Sequence, residues 1–372
     1  MTQQTAEAPG QAKNVGPSLP FTIASRAMTR YSFSVTSALN AATQTPLSPI
    51  QIPAMGFLRN LQIKVIVSST GGTAFTADGP FNLLSSVEFR TAAGNDLLVP
   101  STGYQVYLMN KYGHPSVISP YSDPKFVQYS TTAGTAASFY LDIPFEIDPE
   151  TGLGSIPALA SNRAYQLNLI LAPYSVITTA SAATVTIEGV ASYWSEPPAQ
   201  SASGLAQETQ PQGLGTISQW QLDTPPLTPG DKYVKLSNVG NFMRNIIFVL
   251  RNAAGVRVSA DWPAVTELYL DNEPMMYLPS ADWQRRMRQL FGLAATAMDA
   301  ANGLDTGVYV IPFDALVGSL SGDPANSRSQ YLPTLDASSL QIRGTSFGVA
   351  ASTLEILTNS IIPRNSGDIY SK

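Results

Sequence analysis

The sequence has no cysteine and one histidine, His114. The first absence excludes disulfides, thiolate metal sites and cysteine nucleophiles. The second means that any Ser-His-Asp relay must run through His114. Charge is scarce, with Asp, Glu, Lys and Arg at 13% of residues, against about a quarter in an ordinary domain. The net charge is -5, and the first 25 residues hold one Lys and no Arg. A cationic stripe of the kind that nucleic acid requires is therefore missing, and direct nucleic-acid binding is not expected. No stretch approaches the roughly 18 apolar residues of a helical membrane span. The opening M-T-Q-Q-T-A-E-A-P-G-Q-A-K lacks the charged and apolar regions of a signal peptide, so none is expected. No G-x-x-x-x-G-K-[ST] loop is present to cradle phosphate, and no cofactor is expected.

What the sequence does have is an internal duplication. Around Phe57 it reads G-F-L-R-N-L-Q-I-K-V, and around Phe242 N-F-M-R-N-I-I-F-V-L. P-S-T-G-Y-Q-V-Y-L-M-N-K-Y-G (Pro100 to Gly113) is answered by P-S-A-D-W-Q-R-R-M-R-Q-L-F-G (Pro279 to Gly292). D-I-P-F-E (Asp142 to Glu146) is answered by V-I-P-F-D (Val310 to Asp314). The landmarks keep their order while the offset drifts from 185 (Phe57/Phe242) to 179 (Pro100/Pro279) and 168 (Pro144/Pro312). Loop insertions and deletions in a duplicated domain produce that drift. The period is a whole domain, far above the 20–50 residues of solenoid repeats. A chain of 372 residues accommodates two such domains, each able to bury a core.

Within each copy, short alternating runs such as Y-S-F-S-V-T (Tyr31 to Thr36) and L-Q-I-K-V-I-V (Leu61 to Val67) are divided by turn signals. Two segments break that pattern. Thr102 to Tyr112 and Ala281 to Leu290 predict one short helix at the same place in each copy. Trp283, Met287 and Leu290 form an apolar stripe on the second, and Ser101 and Ser280 are the expected N-caps. The expected organisation is a flexible arm over 1–20, a first jelly roll over 21–196, a Pro/Gly/Ser/Gln-rich linker over 197–215 and a second jelly roll with a tail over 216–372. The fold class is all-β: two tandem eight-stranded jelly-roll sandwiches side by side.

Several groups have the residue types for chemistry. Gly344 to Gly348 read G-T-S-F-G, the spacing of a nucleophile elbow around Ser346. That elbow needs a strand-to-helix turn and a later His. No His follows Ser346, so a strand or turn is expected there, and His114, before Pro115, reads as a loop residue. Glu146, Asp148 and Glu150 in P-F-E-I-D-P-E-T-G, and Asp271 with Glu273 in L-D-N-E-P, could do glycosidase work as paired carboxylates. The first cluster loosely resembles a Ca²⁺ loop without its full pattern. Turns gather such residues for conformational reasons, and turns are the expectation in both places. No residue is expected to be catalytic, cofactor-binding or metal-binding. Arg59-Asn60 and Arg244-Asn245 recur in both copies. The expectation is an Arg paired with a carboxylate where the chain enters a strand, with the Asn capping a turn. Phe57/Phe242 and Tyr104/Trp283 recur as core aromatics.

Two tandem jelly rolls, a helix in the same loop of each, a flexible arm and little charge resemble the double jelly-roll major capsid proteins. These belong to tailless icosahedral double-stranded DNA viruses of the tectivirus (phage) and adenovirus lineage. The resemblance runs from about residue 21 to 365 and rests on architecture and duplication. It implies a structural protein rather than an enzyme, and a virion location. It further implies a homotrimer of nearly hexagonal outline, contacts with neighbouring capsomers and minor or penton proteins, and a place for an internal membrane. The arm would lock neighbours together. Two other readings stay open. A deglycosylase of the peptide-N-glycanase type also pairs two jelly rolls, and Glu146, Asp148, Asp271 and Glu273 would be its acids. A virion spike or receptor-binding protein is the third.

Overall fold

The structure is a computed structural model that describes residues 18–69, 78–113, 137–160, 164–177, 183–228, 230–259, 261–290, 306–313, 331–347 and 352–364. His114 and nearly all of the arm lie outside these residues. The first half carries β1 (Ala27–Ala38), β2 (two pieces, Thr45–Pro46 and Ile50–Gln51), β3 (Gly56–Ser69), β4 (Leu84–Arg90), β5 (Asp96–Ser101), β6 (Ala137–Pro144), β7 (Gln166–Leu171) and β8 (Ala183–Trp194). The second carries β9 (Ile217–Asp223), β10 (Asp231–Leu236), β11 (Phe242–Arg251), β12 (Val265–Leu270), β13 (Glu273–Pro279), β14 (Val308–Pro312), β15 (Leu340–Phe347) and β16 (Ser352–Ile362). Helix α1 (Gly103–Tyr112) joins β5 to β6, and α2 (Ser280–Leu290) joins β13 to β14.

The strand orders are β1-β8-β3-β6 and β2-β7-β4-β5 in the first half. In the second they are β9-β16-β11-β14 and β10-β15-β12-β13. Adding eight to each label converts the first pattern into the second, so each half is a complete antiparallel jelly roll. The sequence landmarks land on equivalent elements: Phe57 and Phe242 on β3 and β11, Pro144 and Pro312 on β6 and β14. Register agrees residue by residue, because Asn60 pairs with Pro144 and Asn245 with Pro312.

Alternation drives this packing. Along β3, Leu61, Ile63 and Val65 are fully buried while Gln62, Lys64 and Ile66 on the opposite face are only half-buried. Every residue of β11 from Phe242 to Leu250 is buried, so that strand is covered on both faces. Helix α1 starts one residue later than its sequence suggests. Thr102, not Ser101, is the N-cap, and it forms a capping box with Gln105. Both helices lie along an edge strand. The Asn110 side chain donates to the Asp142 carbonyl at 2.6 Å and accepts from its N–H at 2.9 Å. The Trp283 indole donates to the Val310 carbonyl at 2.7 Å. Asp142 and Val310 are equivalent positions, so each helix blocks the same sheet edge.

The halves are joined more intimately than two sandwiches standing side by side. Strands β5 and β9 pair in parallel at Leu98 and Trp220, which fuses one sheet of each half into an 11-stranded sheet.

Candidate functional site

The residues with catalytic potential are occupied by structure. Ser346 lies within strand β15, and the next element among the described residues is strand β16. Gly344 is glycine because a Cβ there would sit 2.5 Å from Pro263. Glu146 accepts from Arg59 Nε at 2.9 Å and Nη2 at 2.6 Å through one oxygen. Its other oxygen accepts from the Trp194 indole at 2.6 Å and the Ser155 hydroxyl at 3.3 Å. Asp148 is buried and closes a turn, accepting from the Glu150 N–H and the Thr151 hydroxyl. Glu150 is exposed, and its carbonyl accepts from Thr22. Among the described residues no group of three or more His, Asp or Glu side chains is placed to hold a metal ion.

Asp271 and Asn272 have φ of 48° and 75°, the left-handed pair of a two-residue hairpin turn between β12 and β13. The Asp271 carboxylate accepts from the Ser338 hydroxyl and N–H and the Ser339 N–H, which hold it below the ordinary carboxylate range. Glu273 is exposed at the start of β13. Both acidic clusters are therefore turn architecture.

The repeated Arg marks a repeated backbone irregularity. Arg59 falls at the register shift between β3 and β8, and Arg244 at the matching shift between β11 and β16. Each is the extra residue of a β-bulge, which aims its side chain away from the ladder. Arg59 pairs with Glu146 and lies over the Trp194 ring at 4.1 Å. Arg244 is buried. Asn60 does not cap a turn; its amide reaches Asp142 at 3.4 Å. Phe57 packs edge-on against Phe21 at 5.2 Å, and Phe21 is anchored by the Glu208 carboxylate, which accepts from its N–H.

The densest polar constellation is the joint between the halves, built from residues that sequence reasoning passed over. Asp78 of the first half accepts from Arg251 Nη1 at 2.8 Å and Arg257 Nε at 2.7 Å, both of the second half. Arg251 Nε donates to Glu355 at 2.6 Å, and Gln105 of α1 donates to the other Glu355 oxygen at 3.0 Å. Tyr104 of α1 offers its ring to Arg257 at 4.7 Å. Burial disfavours the Arg251 charge, but Glu355 and Asp78 outweigh it and raise the guanidinium above its usual range. Gln219 of β9 donates to the Asp96 carbonyl at 2.9 Å, and Trp220 closes against Gly113, where a Cβ would lie 2.7 Å from its ring. Helix α1 is thus the plug that covers the outer face of the second half's sheet. The arrangement binds one jelly roll to another. One sequence signal did exist: Tyr104-Gln105 recurs as Trp283-Gln284.

No protein-family model and no curated protein matches the chain. Solved structures do. The crystal structure of the STIV MCP aligns with a TM-score of 0.61 at 13% identity, covering 93% of this chain and 100% of that one. The quasi-atomic PBCV-1 virus capsid gives 0.60 at 13%, covering 91% and 93%. The Faustovirus major capsid protein gives 0.54 at 10%, covering 96% and 92%. At such identities the likeness is one of architecture, and it spans both halves together: the chain has the double jelly-roll fold of these icosahedral-virus major capsid proteins.

Proposed function

We propose that the protein is a major capsid protein whose homotrimers tile an icosahedral virion shell. The observation that carries this reading is the duplication itself. Two equivalent jelly rolls are locked rigidly side by side, in an arrangement matched over most of its length by viral capsid structures. Three chains of two similar wedges give six wedges, a nearly hexagonal tile that packs a shell as a hexamer would. The low charged content, 13%, suits a surface that ends up against other subunits. The carboxylates that a glycan-cleaving enzyme would need are committed to turns and to Arg59 and Trp194. Neighbouring capsomers and minor or penton proteins are the partners of such a tile, and the arm would lie between tiles. The test is the solution mass of the full chain with negative-stain images of the same sample. Three-fold particles of hexagonal outline are expected. A stable monomer of 39.6 kDa would overturn the reading.

A further inference from the structure

The joint inside the chain is a template for a second joint that one chain cannot make. Its parts have counterparts in the opposite half, found by the register. Offset 179 carries Gln105 to Gln284 and Leu98 to Tyr277. The bulges align Ser192 with Asn359, because Asn60 faces the first and Asn245 the second; the same step carries Glu188 to Glu355. Across β1 and β9, Thr29 faces Ser192 and Trp220 faces Asn359, so Thr29 is the counterpart of Trp220.

The originals are all engaged. Gln105 bonds Glu355, Leu98 bridges Trp220, and the sheet face beneath them is buried. The counterparts are engaged only within their own half: Glu188 meets Lys64 at 3.7 Å, and Gln284 hydrogen-bonds the Tyr309 side chain. Strand β13 is a sheet edge with Tyr277 64% and Met275 48% exposed. Strand β1 is another, with Thr29 exposed and Tyr31 61% exposed. The outer face of the first half's sheet, with Gln62, Lys64 and Glu188, is only half-buried, unlike the same face of the second half. Bare edge strands are adhesive unless covered, whereas β6 and β14 are blocked by their own helices.

We infer that β13 and α2 of one copy dock on β1 and the outer sheet face of the next copy, with Tyr277 alongside Thr29 in parallel pairing and Gln284 hydrogen-bonded to Glu188. The occupant is a second copy because the complementary halves of the contact are both on this chain, and their engaged prototype is inside it. Such a head-to-tail contact repeats until the ring closes. The inference rests on the trimer proposed above and names the surface that makes it.

The chain's lack of cysteine gives a clean test. Paired strands lie about 4.8 Å apart, within the Cα separation that a disulfide tolerates. The double variant T29C/Y277C, mildly oxidised and run on a denaturing gel, is expected to give covalent dimers and trimers and nothing larger, with neither single variant doing so. In parallel, Q284E, placing a carboxylate against Glu188, is expected to raise the concentration for trimer dissociation at least tenfold. The swapped pair E188Q/Q284E is expected to restore it, with donor and acceptor exchanged. Circular dichroism confirms that each variant is folded. A wild-type trimer without cross-linking and without any response to Q284E would overturn this contact while leaving the trimer standing. A wild-type monomer, or a ladder running beyond three, would overturn the trimer reading itself.

Discussion

Helices α1 and α2 occupy the same loop of the same fold and have diverged in opposite directions. Nine of the ten residues of α1 are buried, including Gln105 and Lys111. In α2 only Trp283 and Met287 are buried among the described side chains, while Ala281, Asp282, Arg285 and Arg286 are exposed. The sheets beneath follow suit: β11 is apolar on its outer face at Ile247 and Val249, where β3 has Gln62 and Lys64. On the contact inferred above, each position is adapted to whether its neighbour belongs to the same chain. A permanent intrachain contact can be greasy from the moment of folding. A surface that must stay soluble until another copy arrives keeps its polar groups.

That contrast can be attacked at decreasing cost. Trp283 packs among Trp262, Tyr309 and Phe248, with ring centroids at 5.8, 5.7 and 6.4 Å. W283A is expected to cost about 3–5 kcal/mol by opening a core cavity. Hydrogen exchange should show the loss confined to the second half. Equal loss of protection in both halves would mean that α2 is not a local element. Asp78→Ala strips the shared carboxylate from Arg251 and Arg257, whose side chains are 13% and 2% exposed. About 3 kcal/mol is expected from the lost ion pairs, Arg251 keeping Glu355 and Arg257 keeping the Thr306 carbonyl, read in denaturant unfolding, with Tyr104 and Trp220 fluorescence-sensitive at the joint. An unchanged midpoint would show that the sheet alone holds the halves together.

Smaller effects test the first half on its own. Arg59→Ala leaves Glu146 with Trp194 and Ser155, so about 2 kcal/mol is expected from the lost charged hydrogen bonds. Thermal melts of this variant should retain the wild-type shape at a lower midpoint. The smallest effect is alkaline. Burial pushes both Tyr165 and Tyr193 up to about 12. Because the folded values exceed the unfolded ones, their stabilising contribution is whole below about pH 10 and is lost as pH rises toward 12. Tyr193→Phe should move the alkaline midpoint upward while giving up the hydrogen bond to the Pro53 carbonyl. The counterpart of Tyr193 is Ser360, so the second half carries no such group there. A midpoint that does not move would place the alkaline sensitivity elsewhere.

The duplication was legible because its landmarks serve the backbone. Arg59 and Arg244 mark matching bulges, and Asn60 and Asn245 face matching prolines. Strands β5 and β13 were not legible. D-L-L-V-P-S and E-P-M-M-Y-L-P carry prolines and no period-two pattern, since one is buried at the joint and the other is a bare edge. Strand β2 is broken by Leu47, Ser48 and Pro49 into two pieces. The joint was illegible for a different reason. Asp78, Arg251, Arg257 and Glu355 are scattered along the chain, and only the folded topology assembles them.

The parallel pairing of β5 with β9 has a mechanical corollary. Adjacent strands in a sheet are rotated by roughly 20–25°, so the angle between the two jelly rolls is fixed by strand twist and not by the length or stiffness of the segment that connects them. Lengthening that segment would leave the angle unchanged, whereas a one-residue slip at Leu98 and Trp220 would alter it. Curvature in anything assembled from this protein is thereby written into backbone hydrogen bonds, where a surface mutation cannot easily reach it.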